Sequence, residues 1–175
     1  MLLESVDRQG NLIAFFIAAR GDVIGHRSLS AGEAHAATAR TLSPARTCFV
    51  PAPVMKGLVA GNPALGREFL RLLARDPGPI AAPLLRSPYI PAGPRLGHLL
   101  LLCDRFGRAT PGGGMVYQLP LSQSDIDALV GARRETVVRL LHELERTGLL
   151  RLARRSIVVP DRERLAAFAA GKDPR

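Results

Sequence analysis

Leu121-Ser-Gln-Ser-Asp-Ile-Asp-Ala-Leu-Val-Gly131, followed by Ala132-Arg-Arg-Glu-Thr-Val-Val-Arg-Leu-Leu-His-Glu-Leu-Glu-Arg-Thr-Gly-Leu-Leu150, decides how this chain is read. Ser122 and Asp125 have the spacing of a capping box, in which a hydroxyl accepts from an orphan N–H and an acid sits at the positive end of the helix dipole. Ile126, Leu129 and Val130 then form the inner face of a short helix. Gly131 supplies a turn where a Cβ is costly if φ is positive. Val137, Leu140, Leu141 and Leu144 recur at helical spacing and define the inner face of a second helix. Glu135, Arg139, His142 and Arg146 fall on its opposite face, and Arg133 and Arg134 stand at its entry. This is a helix-turn-helix pattern, whose second helix can enter the DNA major groove. Arg can take guanine O6 and N7 bidentately and Glu can accept from cytosine N4. Arg134, Glu135 and Arg139 therefore have the chemistry for base contact. Spacing and charge alone also fit an ordinary helical hairpin with a solvated basic face.

Downstream, Leu149–Leu152 and Ser156–Val159 read as strands around Ala153-Arg154-Arg155, a basic-tipped hairpin placed like a wing. Pro160-Asp161 caps a last helix over Arg162–Ala169. Upstream, Met115–Leu119 is a short strand, and Pro111-Gly-Gly-Gly114 is a loop without the Lys of a phosphate-binding loop. Leu96–Phe106 is a helix, with Leu96, Leu99, Leu100, Cys103 and Phe106 buried and Gly107 as its stop. Asn62-Pro63 opens an earlier helix, with Leu65, Phe69, Leu72 and Leu73 on one face. Prolines at 77, 79, 83, 88, 91 and 94 leave residues 76–94 a broken connector. Leu2–Val6 and Leu12–Ala18 read as strands flanking the turn signal Gln9-Gly10-Asn11. Val23–Gly25, Ala36–Leu42 and Thr47–Val50 follow as further short strands, so the first sixty residues read as β structure.

Composition narrows the partner. The chain has 175 residues, enough for one medium domain or two small ones, and 47% of them are hydrophobic. Lys and Arg number 24 against 15 Asp and Glu, a net charge of +9. Most of that positive charge is Arg, which suits nucleic acid ahead of a membrane. Cys48 and Cys103 are the only cysteines; without a CxxC pair they read as small buried residues in a reducing cytoplasm. No stretch has the length of a membrane span and no signal-type segment stands at the start, so a cytoplasmic protein is expected. No nucleophile, base and orienting acid form a recognisable set, so an enzyme is not expected.

Taken together, Leu121–Gly131, Arg134-Glu-Thr-Val-Val-Arg139, Leu144-Glu145, Gly148-Leu-Leu150 and Ile157-Val-Val159 resemble the CRP/FNR family of bacterial transcription regulators. Gly21-Asp-Val-Ile-Gly25, His26-Arg-Ser-Leu29, Gly32-Glu33 and Ala36-Ala-Thr-Ala39 are similar to the latter part of that family's β-roll sensor domain. The first strands of the roll are missing, so either the domain is shortened or Met1 lies inside a longer coding frame. The resemblance implies an α+β chain in three parts. A truncated antiparallel, jelly-roll-like β-roll spans residues 1–61. A Pro-interrupted connecting and dimerisation segment spans 62–93, and a winged helix-turn-helix spans 94–175. It implies double-stranded DNA as partner, a homodimer, and contact with RNA polymerase. Arg134, Glu135 and Arg139 take the base-contacting positions, while Ser122, Arg133, Thr136, Arg154 and Arg155 are the backbone-contacting candidates.

Three departures qualify the match. Where cyclic-nucleotide binders of the family carry a ribose-binding Glu and a phosphate-binding Arg-Ser pair, this chain has His26, His35 and Ala36. Cyclic AMP binding is therefore not expected, and the effector is unassigned. Two separated cysteines do not supply an iron–sulfur ligand set. His26 and His35 read as loop histidines ahead of metal or haem ligands, so no cofactor or metal is expected. The prolines fall where the family's dimer helix would run, over residues 62–87. A second reading stays open: a winged helix used for protein–protein contact, with a degenerate sensor domain and no specific DNA binding.

Overall fold

The computed structural model describes the chain except for residues 7–9, 11, 76–86, 88, 119–120, 155 and 173–175. It opens on an antiparallel hairpin of β1 (Leu2–Val6) and β2 (Leu12–Ile17), with Leu2 opposite Ile17 and Val6 opposite Leu12. Along β1 the buried positions are Leu2 and Glu4, the alternation of a strand with one covered face. β3 (Thr38–Arg40) pairs with the other side of β1, giving the order β2-β1-β3. Of the turn Gln9-Gly10-Asn11, only Gly10 lies within the described residues.

The expectation of β structure throughout the first sixty residues fails at five places. Val23–Gly25 and Thr47–Val50 are not strands, and only Thr38–Arg40 of Ala36–Leu42 is one. His26–Ala31 is a short helix, α1, framed by Gly25 at φ 79° and Gly32 at φ 71°. Ala52–Gly61 is a helix, α2, that enters through Pro51 and carries Pro53 in its first turn. There the backbone N–H has no intrahelical partner, so a proline that reads as a breaker is tolerated. α2 buries no residue, although Val54, Met55, Leu58 and Val59 recur at helical spacing. Cys48, expected to be buried, is exposed, whereas Cys103 is buried. Burial, reinforced by neighbouring Asp104, pushes the Cys103 thiol up to about 12.

α3 (Pro63–Arg75) starts as expected. The Asn62 side-chain oxygen accepts from the backbone N–H groups of Ala64 at 3.0 Å and Leu65 at 3.1 Å. Pro77, Pro79 and Pro83, and the helical turn expected around 81–86, lie outside the described residues. α4 (Ala92–Leu102) begins earlier than the proline run suggests, because Pro94 sits in its first turn. A 3-10 turn over Cys103–Phe106 continues it.

β4 (Gly107–Ala109) and β5 (Met115–Tyr117) form the next hairpin, followed by α5 (Gln123–Val130) and α6 (Arg134–Arg146). β6 (Arg151–Ala153), β7 (Ser156–Val159) and α7 (Arg162–Ala169) complete the chain. The second sheet is antiparallel in the order β4-β5-β7-β6. Its centre is fixed by Asp104, which accepts from the buried Tyr117 hydroxyl at 2.5 Å and from Arg162 Nε at 2.6 Å. Burial, together with that bond, raises the Tyr117 phenol above its ordinary range.

One core joins the two halves. Leu2 and Ala14 of the first sheet cluster with Leu96, Leu99, Leu100, Leu129, Val130, Val137, Leu141 and Leu144, and α5 lies against β2. The glycine-rich loop has a packing explanation: a Cβ on Gly114 would meet the Val159 carbonyl at 2.4 Å and the Pro160 carbonyl at 2.5 Å. Both contacts are backbone and cannot rotate away. Gly114→Ala is expected to cost about 1–3 kcal/mol in urea unfolding; a change below about 0.5 kcal/mol would show that the loop does not need this glycine.

Candidate nucleic-acid interface

The helix-turn-helix is set by its caps. Ser122 Oγ accepts from the Asp125 N–H at 3.2 Å, and Asp125 Oδ2 accepts from the Ser122 N–H at 2.8 Å, closing the capping box. The Ser122 hydroxyl also lies 2.8 Å from both Asp125 Oδ2 and Ser124 Oγ, so it is taken up by the cap. Asp125 is only 2% exposed. Burial pushes its carboxyl upward, but the Ser122 hydroxyl and N–H, with Arg40, outweigh that and hold it below the usual carboxylate range. At the other end of α5, Gly131 takes φ 64° and its N–H closes on the Asp127 carbonyl at 2.8 Å. That left-handed turn re-aims the chain into α6.

α6 buries Val137, Leu141 and Leu144 against the core, with Leu140 packed beside them. This face dictates the other one. Arg133, Arg134, Glu135, Arg139, His142 and Arg146 are exposed and Thr136 is half-buried. The side chains of Arg133, Arg134, Glu135 and Arg139 make no hydrogen bond or ion pair with other described residues. Arg133 is the N-cap without a side-chain cap bond, since a guanidinium cannot accept one. The first-turn N–H groups of α6 therefore have no side-chain cap, and exposed Arg133 and Arg134 stand beside them in sequence, a combination suited to an anion.

The wing follows at a fixed offset. Gly148 takes φ 70° and the Leu149 N–H returns to the Leu144 carbonyl at 3.0 Å. Glu145 Oε1 of α6 accepts from the Leu152 N–H of β6 at 2.9 Å, so an edge-strand donor is tied to the helix. β6 and β7 pair with Leu152 opposite Ile157. Arg154 is exposed at the hairpin tip, while Arg155 lies outside the described residues. Arg151, exposed on β6, adds a guanidinium that the sequence reading passed over, although its alternation with Leu152 could have marked it. Arg95 of α4 was also missed; its Nη1 lies 3.4 Å from the Gly131 carbonyl.

The sensor-like histidines sit elsewhere. His35 packs on Gly25, where a Cβ would meet its ring at 2.8 Å. His35 and Ala36 line a shallow cleft of about 240 Å³ with Glu4, Ser5 and Thr38. His26 lines a different cleft, of about 200 Å³, with Asp22, Leu72 and Arg105. No helix among the described residues is long and apolar enough to cross a membrane.

A helix-turn-helix with a basic outward face and a hairpin behind it defines the class of a winged-helix DNA-binding protein. Comparison with known proteins agrees. A model of the Crp-like helix-turn-helix domain matches residues 94–168. Over 164 residues the chain is 30% identical to the CRP-like cAMP-activated global transcriptional regulator of Mycobacterium tuberculosis, covering 93% of this chain and 72% of that relative. Electron transport regulator A of Shewanella oneidensis is 26% identical over 169 residues, covering 96% of this chain and 65% of that relative. A CRP/FNR-family transcriptional regulator from Thermus thermophilus shares the fold with a TM-score of 0.73 at 23% identity, over 98% of this chain and 84% of that one. The chain belongs to the CRP/FNR family and is a DNA-binding transcription regulator.

The Asp125 carboxyl has a pH signature. Its folded pKa is depressed, so its stabilisation is complete above the unfolded value of about 3.9 and fades as pH falls through the lower folded value. The stability gap between the unaltered protein and Asp125→Asn, followed by urea unfolding, should therefore shrink below about pH 4. A gap that stays constant down the acid limb would contradict this.

Proposed function

We propose that this regulator binds a two-fold-symmetric operator as a homodimer, with α6 in the major groove and the wing on the backbone. The observation that carries this reading is the row Arg134, Glu135 and Arg139, exposed above the buried stripe of α6 and without a hydrogen bond or ion pair to other described residues. Arg134 and Arg139 read guanines and Glu135 accepts from a cytosine amino group. Arg133, Thr136, Arg154 and Arg155 hold phosphates. Ser122 serves the backbone through the helix end that it caps, since its hydroxyl is occupied. Residues 94–175 act as the DNA-binding unit, 1–61 as the sensor-like unit and 62–93 as the connector.

The second subunit covers α3. Leu65, Phe69, Leu72 and Leu73 share one half-buried face of this helix, and Leu70, on another side of it, is 66% exposed. Two copies paired there would present recognition helices about 34 Å apart. The protein acts in the cytoplasm, with RNA polymerase as a further partner and without catalysis of its own. Cyclic AMP, named for the mycobacterial relative, is not proposed as the effector here, because His26, His35 and Ala36 stand where the resemblance places ribose- and phosphate-binding residues.

Binding to a selected operator and to single-base variants tests the assignment. Arg139→Ala is expected to lose about 1–3 kcal/mol of discrimination at one base pair. Arg154→Ala should instead weaken every sequence alike and lower the salt slope by about one. Specific binding that survived Arg134→Ala and Arg139→Ala together would refute base reading by α6.

A further inference from the structure

Arg40 lies on β3, 85 residues before Asp125, yet its guanidinium joins the two halves of the molecule. Glu4 of β1 accepts from Arg40 Nε at 3.0 Å and from Nη2 at 3.1 Å. The same Nη2 donates to Asp125 Oδ1. Asp125 thus does two things at once: one oxygen closes the cap of α5 and the other holds the sheet. Glu4 is 9% exposed and Asp125 2%. Two buried carboxylates without a shared cation cost several kcal/mol, and only a guanidinium has the planar fork to serve both. The apolar contact beneath, Leu2 and Ala14 in one cluster with Leu129 and Val130, is adhesive but without direction. Hydrogen bonds from a fork have direction. A second ion pair, Arg105 to Asp22 at 2.5 Å, crosses the same junction. Its partners sit in the loop after β2 and in the 3-10 turn, not on the helix-turn-helix.

We infer that Arg40 is a positioning residue for operator binding. It fixes the angle of the helix-turn-helix on the N-terminal sheet and so sets the spacing at which two subunits can engage paired half-sites. This rests on the dimeric reading above. A dimer with rigidly held recognition helices binds the second half-site at high effective concentration only if the spacing fits. Freed of the fork, each recognition helix searches a range of positions, and the dependence on spacing flattens. Binding of an isolated half-site, which needs one helix only, is left intact.

The test uses the full chain and three duplexes: a single half-site, the selected palindrome, and the palindrome lengthened by two base pairs. The unaltered protein should prefer the selected palindrome to the lengthened one by about tenfold or more. Arg40→Met should cut that preference to about threefold or less while holding half-site affinity within about twofold. Arg40→Lys, a point charge without the fork, should fall between the two. Should Arg40→Met fail to fold, as judged by circular dichroism, Glu4→Gln is the second variant. It leaves the guanidinium on Asp125 and should also lower the preference. A folded Arg40→Met, or a folded Glu4→Gln in its place, that kept the full preference would overturn the positioning role. An unaltered protein that bound palindrome and half-site equally would instead remove the dimeric reading, and this inference with it.

Discussion

Burial of Val137, Leu141 and Leu144 is the constraint from which the rest of the structure follows. These three side chains fix the rotation of α6 about its axis, because turning the helix would return their apolar surface to water at roughly 1.5–3 kcal/mol each. Once the rotation is fixed, the arginines have no choice of direction. Arg134, Glu135 and Arg139 face outward because the residues between them face inward. The Ser122–Asp125 cap sets where α5 begins, Gly131 turns the chain from α5 into α6, and the Glu145 bond to the Leu152 N–H sets where the wing leaves it. The basic surface is thus the reverse side of a packing solution.

The same core explains why the N-terminal sheet matters to a DNA-binding unit. Leu2 and Ala14 pack in the cluster that supports α6, so the two halves are not independent beads on a string. Arg40 adds direction to that contact through Asp125, the residue that also closes the first helix of the motif. A change in the sheet therefore reaches the helix end by one guanidinium and a few apolar side chains. The chain's net charge of +9 supplies long-range attraction to DNA, but the local geometry determines which surface meets it.

Much of this was legible in the sequence, and the reasons for the exceptions are physical. The C-terminal half carries its own punctuation: Ser122 and Asp161 as caps, Gly131 in the left-handed turn, apolar spacing of three and four along α6. Those signals are local and the structure follows them closely, down to the limits of α7. The first sixty residues mislead because Gly25 and Gly32 frame α1 as if it were a turn, and Pro53 enters α2 in the one turn where proline is harmless. In α2 the apolar residues Val54, Met55, Leu58 and Val59 do recur at helical spacing, a helix signal that the strand reading did not take up. Exposed Cys48 follows from the absence of the strand expected around it. Arg40 was beyond reach for a different reason: its partner lies 85 residues away, and nothing in its own neighbourhood distinguishes it from any surface arginine.

Base reading by the arginines of α6 can be probed by removing a single acceptor from the DNA instead of a side chain from the protein. Replacing one operator guanine with 7-deazaguanine deletes N7 and leaves the phosphate backbone intact. At the guanine read by Arg139, that replacement should weaken the unaltered protein by about tenfold or more and leave Arg139→Ala indifferent to it, so that the two losses are not additive. If Arg139→Ala remained as sensitive as the unaltered protein at every guanine of the operator, Arg139 would not read a base.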